Sequence, residues 1–400
     1  MKKSLIVCSH CPLPETTGGN MRTMNFARRL KKYGTVDIVY SFLADGANPG
    51  SGFFKKEYFL EKREYPKGFI RRCNLFLKGQ PYPIRNFGVK EKQALLQAVS
   101  AENYDYILIR YAANAYGFLG LPRHIKSKII LDFDDHLTGT LYQTLHKQSD
   151  NIFKKLVWGL NKRRLKHYES RCLRLNVSLF CSEKDRQEIG RSNPRAFVVP
   201  NTYANEAFDF YDFSDGFKNG KVLLFVGTLS YGPNSEGLKW FVRSVYPKLK
   251  EKHPDASLLV VGHLSDSDDY GIRACCQSAT DIELHTNVVD VRDFYRRCSA
   301  VVVPLWQGGG TRIKILEAIK ADRPVLSTAI GLEGLELKAG EDVLVFQDAD
   351  EFVENFDLIL NSPVYSKLTR NAREIVDRKY RMEDFNQAFD MVLSQIDGSR

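Results

Sequence analysis

Apolar residues in the first half of the chain fall into short runs separated by polar, helix-forming stretches. Residues 4–8, 36–42, 106–109, 128–133 and 178–181 are each long enough for one buried strand and too short for a buried helix. A helix over about 22–32 follows the first run. The second half repeats the rhythm. Strands expected over 221–226, 257–261, 282–285, 300–304, 324–327 and 343–346 alternate with helices over 235–252, 291–297 and 311–320, and a helical tail runs over about 366–396. Short apolar strands alternating with helices predict an α/β fold: two Rossmann-like, doubly wound domains with parallel sheets, facing one another across a cleft. Ligands of such sheets bind outside the carboxyl ends of the strands. The expected domains are 1–200 and 201–375, with a final helix over 376–400 packing back toward the first. Pro200 biases the residue before it toward extended backbone, which suits a hinge at Val198-Val199-Pro200-Asn201.

Composition supports two cores, because 400 residues at 43% hydrophobic can bury that much surface. No apolar run approaches the roughly 20 residues that span a bilayer. Met1-Lys2-Lys3-Ser4-Leu5-Ile6-Val7 has a basic flank but too short an apolar stretch for a secretory signal. The expectation is therefore a soluble, cytoplasmic chain, and eight cysteines fit a reducing compartment. Cys8-Ser9-His10-Cys11 has the spacing of half a metal site, but no second Cys or Cys/His pair at matching spacing accompanies it. No metal is expected there, and Cys275-Cys276 reads as helix filler.

Charge changes the picture more. The net charge is +10, yet residues 1–200 hold 35 Lys+Arg against 17 Asp+Glu, and residues 201–400 hold 23 against 31. The first half should meet an anionic surface or ligand. One basic stretch, 152–175, places Phe153, Val157, Leu160, Tyr168, Cys172 and Leu175 on a helical stripe flanked by Lys154, Lys155, Lys162, Arg163 and Lys166. Another, 53–78, includes Lys55, Lys56, Arg71, Arg72, Phe76 and Lys78. They read either as a core-facing helix and a solvated loop, or as a surface touching anionic lipid. Nucleic acid is not expected, because no RRM, KH or helix-turn-helix pattern accompanies the charge.

Three segments carry chemistry. Val303-Pro304 ends a strand that runs through Leu305-Trp306-Gln307-Gly308-Gly309-Gly310 into a helix. Glycines let backbone approach a bulky anion, Thr311 is a suitable cap, and the free N–H groups of a first helical turn attract phosphate. Arg312 and Lys314 add positive charge, and Glu317 is placed to accept bonds from ribose hydroxyls or to pair with Lys314 or Lys320. Gly18-Gly19 before a helix follows the same anion-cradle logic. Asp132-Phe133-Asp134-Asp135-His136 follows a strand. It reads as a DxD metal site, as carboxylates orienting sugar hydroxyls in the cleft, or as structural caps and salt bridges. The second is better supported, because the glycine loop of the other half already offers a phosphate group a site.

Gly308 to Ala318, followed by Arg323-Pro324-Val325-Leu326-Ser327-Thr328 and Gly331-Leu332-Glu333-Gly334, resembles the donor-site signature of GT4-type retaining glycosyltransferases with a glycine-rich donor loop. Phe225-Val226-Gly227-Thr228-Leu229-Ser230, Pro233-Asn234, Trp240-Phe241-Val242, Leu259-Val260-Val261-Gly262 and Asn287-Val288-Val289-Asp290 through Val303-Pro304 resemble the same family. Pro12-Leu13-Pro14-Glu15-Thr16-Thr17-Gly18-Gly19 with Arg22 resembles its first loop more weakly. The resemblance implies the GT-B fold and a UDP- or GDP-linked sugar as donor, with no further cofactor. It implies metal-independent, retaining hexosyl transfer to a glycan or polyprenyl-diphosphate-linked acceptor in cell-surface polysaccharide synthesis, at the inner face of the cell membrane. Glu317 matches the ribose-binding member of two glutamates eight positions apart, while the first falls on Gly309. The basic residue expected after Gly227 falls on Thr228, so Lys239 or Arg312 should supply that charge. By resemblance, backbone at Val288-Val289 holds the base, and Gly18 and Gly19 approach the donor phosphate. Arg110 falls where the family places a donor-facing histidine, and Arg110, Asp134 and Asp135 are the catalytic candidates. Two alternatives stay open: a GT-B-fold nucleotide-sugar 2-epimerase using Asp134 and Asp135, and a non-catalytic scaffold subunit, suggested by Gly309 and Thr228.

Overall fold

The computed structural model describes residues 1–15, 17–40, 49–60, 89–134, 152–203, 206–209, 211–213, 216–264 and 271–398. Contacts divide the chain into two compact units. One comprises Met1–Glu15, Gly19–Val199 and Asn386–Arg400, and the other Thr16–Gly18 and Pro200–Phe385.

The first unit is built on seven parallel strands: β1 (Lys2–Val7), β2 (Gly34–Tyr40), β3 (Glu57–Phe59), β4 (Tyr106–Arg110), β5 (Ile129–Asp132), β6 (Val177–Phe180) and β7 (Ala196–Val198). Their order is β3-β2-β1-β4-β5-β6-β7, so the winding reverses between β1 and β4. Strands buried on both faces read as continuous apolar runs, which is why β1, β2, β4, β5 and β6 stand out in the sequence. β3 and β7, three residues each, carry too little pattern to be recognised. Leu5, Val7, Val39, Ile107, Ile109, Leu131 and Phe180 fill the core. Its helices include α1 (Gly18–Tyr33), α2 (Val89–Ser100) and α3 (Ile152–Cys172). The buried face of α3 is Asn161, Leu165, Tyr168 and Cys172, at intervals of four, three and four. Leu160 is one position off that stripe and is 41% exposed, so its expected place in the core is corrected. Phe153, Val157, Lys154 and Lys155 lie outside the described side chains, as do Arg71, Arg72, Phe76 and Lys78.

The second unit has six parallel strands: β8 (Val222–Val226), β9 (Ser257–Gly262), β10 (Ile282–Thr286), β11 (Ala300–Val303), β12 (Val325–Ser327) and β13 (Leu344–Val345). They are ordered β10-β9-β8-β11-β12-β13, reversing between β8 and β11. Helix α4 (Gly232–Trp240) continues without a break through a π-helical turn, Phe241–Val245, into Tyr246–Lys252. In that turn the Tyr246 N–H donates to the Phe241 carbonyl, five residues back. Then come α5 (Arg292–Arg297), α6 (Ile313–Lys320), α7 (Ala349–Ile359), α8 (Ser362–Lys379) and α9 (Met382–Asp397). The tail is thus two helices and not one, broken at Tyr380, whose buried hydroxyl accepts a bond from the Glu336 N–H at 2.8 Å. α7 was not expected. From Asn386 onward α9 belongs to the first unit: Phe389 packs edge-on against Phe26, and Tyr106 donates to Asp397 at 2.7 Å. Among the described residues no helix is long and apolar enough to cross a membrane.

Candidate functional site

The winding reversal of the second sheet lies between β8 and β11, where parallel α/β sheets open a crevice at their carboxyl edge. The glycine loop leaves β11 at this point and runs along one face of α4. Gly237, Glu236 and Pro233 form the contact, being three and four residues apart on that helix. A Cβ on Gly237 would stand 2.2 Å from the Pro304 carbonyl oxygen, Gln307 donates to Glu236 at 2.5 Å, and Pro233 lies beside Gly308. Trp306 anchors the loop edge-on against Trp240, ring centroids 4.7 Å apart. Gly308 and Gly310 have φ of 118° and 69°, which side chains disfavour. Gly309 is not in that region, so its lack of a side chain is no backbone necessity.

Two expectations about this loop need correction. The helix begins at Ile313, with Arg312 and not Thr311 in the capping position and no side-chain cap. Thr311 is instead buried, its hydroxyl accepting from the Asn201 amide at 2.6 Å. The Arg312 guanidinium turns back onto the carbonyls of Gly309 and Gly310 and pins the loop. Lys239 sits on the last turn of α4, where its charge acts on Cys275. The cation that reaches the end of β8 is Lys314. Its ammonium donates to Asn234 at 3.0 Å, lies 5.1 Å from the Phe225 ring centroid, and would be 2.8 Å from a Cβ on Gly227. Asn234 in turn donates to the Thr228 carbonyl at 2.9 Å, so one amide ties the β8 loop to Lys314.

Glu317 is buried one turn further along α6 and accepts from the Tyr295 hydroxyl of α5 at 3.0 Å. It pairs with neither Lys314 nor Lys320; the latter bonds to Asp209 and Asp377. Burial pushes the Glu317 carboxyl up to about 7, against the opposing pull of Tyr295 and Lys314. Lys314 keeps some surface, but crowding of its ammonium and the nearby Arg312 bring it down to about 7, against Glu317. α6 holds these groups firmly because Ile315, Leu316, Ala318 and Ile319 are buried around it. Val289 stands fully exposed after β10, following Asn287 (φ 56°), whose side chain exchanges hydrogen bonds with Leu264. Asn201, Asn234 and Tyr295 lie in segments the sequence singles out, but none of them is expected as a partner of the site residues. Pro233-Asn234 was visible as a motif, but nothing in the sequence linked it to Lys314.

The first unit gathers a separate charged cluster at the carboxyl ends of β4 and β5. Asp132 is fully buried and takes a bidentate pair from Arg22, at 2.8 and 3.0 Å, and a close contact from Arg110. Arg110 also donates to Thr23 at 2.9 Å, to the Gly19 carbonyl at 3.3 Å and to Asp134 at 3.2 Å. Arg110 is thus a buried clamp and not an exposed ligand-facing group, and Asp132 does not project outward. Asp134, with φ 55°, keeps a little exposure. Burial would raise its carboxyl, but Arg110 and Arg22 outweigh that and hold it below the usual range. Asp135 lies outside the described residues. Beside Gly19 stands Tyr111, a non-glycine residue at φ 65°, ψ 132°; a Cβ on Gly19 would fall 2.1 Å from its hydroxyl. The Cys8 thiol donates to the His10 carbonyl at 3.0 Å, and burial raises it to about 12, leaving it inert. Among the described residues no three His, Cys, Asp or Glu side chains are grouped to hold a metal.

Residues 220–362 match the family model described as "Glycosyl transferases group 1", so the second unit carries a glycosyltransferase group 1 domain. The chain as a whole is 24% identical over 411 residues to an "Uncharacterized 44.6 kDa protein in cps region" of Klebsiella pneumoniae, covering 99% of each. Its fold is similar to sucrose-phosphate synthase from Thermosynechococcus elongatus (16% identity, TM-score 0.70, 100% of both chains). It is also similar to Anabaena Alr3699/HepE in complex with UDP and glucose (12% identity, TM-score 0.65, 99% of this chain and 100% of that one). The architecture is the GT-B one, two parallel-sheet Rossmann-like units.

Proposed function

We propose that the protein is a metal-independent, retaining glycosyltransferase of the GT4 type. It moves a hexose from a nucleotide-diphosphate sugar to a glycan or lipid-linked acceptor in polysaccharide synthesis. The observation that carries the reading is the convergence of Lys314, Glu317 and the Gly308–Thr311 loop at the winding reversal of the second sheet. Lys314 meets the diphosphate with the backbone of Gly309, Gly310 and Thr311, and Arg312 fixes that backbone. Glu317 accepts from the ribose, and backbone at Val288-Val289 holds the base. Thr228 contributes through its carbonyl, which Asn234 holds, and Lys239 is dispensable for this charge. In the absence of a metal, charge developing on the departing diphosphate is met by Lys314 and the loop N–H groups. Gly18 and Gly19 supply a second backbone cradle, and Asp134, kept ionised by Arg110 and Arg22, orients sugar hydroxyls. The similarity to a protein in cps region favours this reading over an epimerase using Asp134, whose carboxyl Arg110 and Arg22 hold below the usual range. The exposed face of α3, with Arg163, Lys166, His167 and Arg171, and Arg174 just past its end, supports peripheral association with anionic lipid at the inner face of the cell membrane.

A panel of nucleotide sugars tests the reading by thermal stabilisation. A ligand at a hundred times its Kd stabilises by about 2.7 kcal/mol, roughly 5–10 °C for a unit of this size. No shift with any UDP- or GDP-sugar would sink it.

A further inference from the structure

Lys314 and Glu317 stand one turn apart on α6, and among the described residues neither is ion-paired. The carboxylate of Glu317 has one hydrogen-bond partner there, the neutral Tyr295 hydroxyl of α5. Lys314 is held by the neutral Asn234 amide of α4, with Phe225 and Gly227 of the β8 edge against it. Among the described residues, Arg312 on the loop side repels the ammonium and Glu317 attracts it. Apart from Arg312 and each other, the groups touching this pair are neutral and satisfy it without fixing its charge. Burial accordingly brings both to about 7 from opposite directions.

A nucleotide-diphosphate sugar changes these surroundings in a defined way. Its two phosphate charges favour the ammonium of Lys314, and ribose hydroxyls donating to Glu317 favour the carboxylate. We infer that the donor binds only the doubly charged form of this pair, ammonium and carboxylate together, so that binding takes up a proton above neutrality and releases one below it. Below neutrality the free pair holds two protons, and Glu317 must lose one. Above neutrality it holds none, and Lys314 must gain one. The diphosphate, esterified at both ends, keeps both its charges throughout this range, so the exchanged proton belongs to the protein.

The inference rests on the donor-site reading, and one set of titrations separates the two. Calorimetry with UDP-glucose and GDP-mannose from pH 5.5 to 8.5, in buffers of different ionisation heat, reads affinity and proton exchange together. Affinity should peak near pH 7 and fall toward tenfold per pH unit on either side, with the exchanged proton changing sign at the peak. E317Q should flatten the acid side and K314M the alkaline side. The wild-type profile decides the matter even if a variant fails to fold. Binding with a flat profile, or proton exchange of one sign throughout, overturns the inference alone. Absence of binding overturns the donor-site reading with it.

Discussion

Replacing Gly237 by alanine should move the glycine loop without touching any ligand-contacting group. The new Cβ would stand 2.2 Å from the Pro304 carbonyl oxygen, where carbon and oxygen normally approach no closer than about 3.3 Å. Helix α4 and the loop must therefore part by about 1 Å. Overpacking of this kind costs about 1–3 kcal/mol, and the helix propensity gained from losing glycine returns at most about 1. A net loss of about 1–2 kcal/mol corresponds to a Tm lowered by roughly 2–8 °C. The effect on the donor should be larger than the effect on the fold, since a misplacement of about 1 Å can cost on the order of a hundredfold. Gly232→Ala is the control, because a Cβ there meets nothing within 4 Å on the same helix. Thermal unfolding and calorimetry with the best-stabilising nucleotide sugar supply both numbers. If G237A and G232A behave alike in both, the loop is not docked on α4 as described.

Three further outcomes follow from the first unit. Asp132→Asn leaves Arg22 and Arg110 buried with Asp134 alone as shared counter-charge and should destabilise by about 3 kcal/mol in urea unfolding, whereas a change under 1 would mean that Asp134 suffices. Asp134, whose carboxyl is depressed in the folded state, stabilises above the unfolded value of 3.8 and loses that contribution as pH falls through the lower folded value; D134N should abolish this part of the acid transition. Gly19→Ala should be costly beside Tyr111 but nearly neutral in a Tyr111→Phe background, where the nearest ring atom is 3.4 Å away. Additive effects in that cycle would contradict the packing.

Much of the architecture is legible in sequence because buried parallel strands are uninterrupted apolar runs, and because Lys314 and Glu317 belong to one helix whose spacing is fixed. The partners that set their chemistry are not legible: Tyr295 and Asn234 come from other helices, and no local pattern connects them. Thr311 was misassigned as a cap because its residue type fits, but Asn201, 110 positions away, binds its hydroxyl and leaves it outside the helix. The resemblance implies a donor-facing Arg110, because it falls where the family places a donor-facing histidine; its burial follows from Asp132 on the neighbouring strand, directly across in register. α7 is a different kind of miss. Asp348, accepting from the N–H groups of Asp350 and Glu351, stands three residues before a glutamate, a capping signature the sequence does contain.

The π-helical turn at Phe241–Val245 makes α4 and its continuation a single rod with two angular settings. Ahead of the turn, the side facing the glycine loop is Pro233, Glu236 and Gly237; beyond it, Leu249 faces the core, and Phe241 within it packs on Phe352 of α7. The extra residue supplies the offset between those faces. Deleting it would shorten the rod by only about 1.5 Å and leave every turn hydrogen-bonded, yet rotate the leading segment by about 100°. The glycine loop would then face a different side of the helix, so in this stretch residue number is dictated by angle and hardly at all by reach.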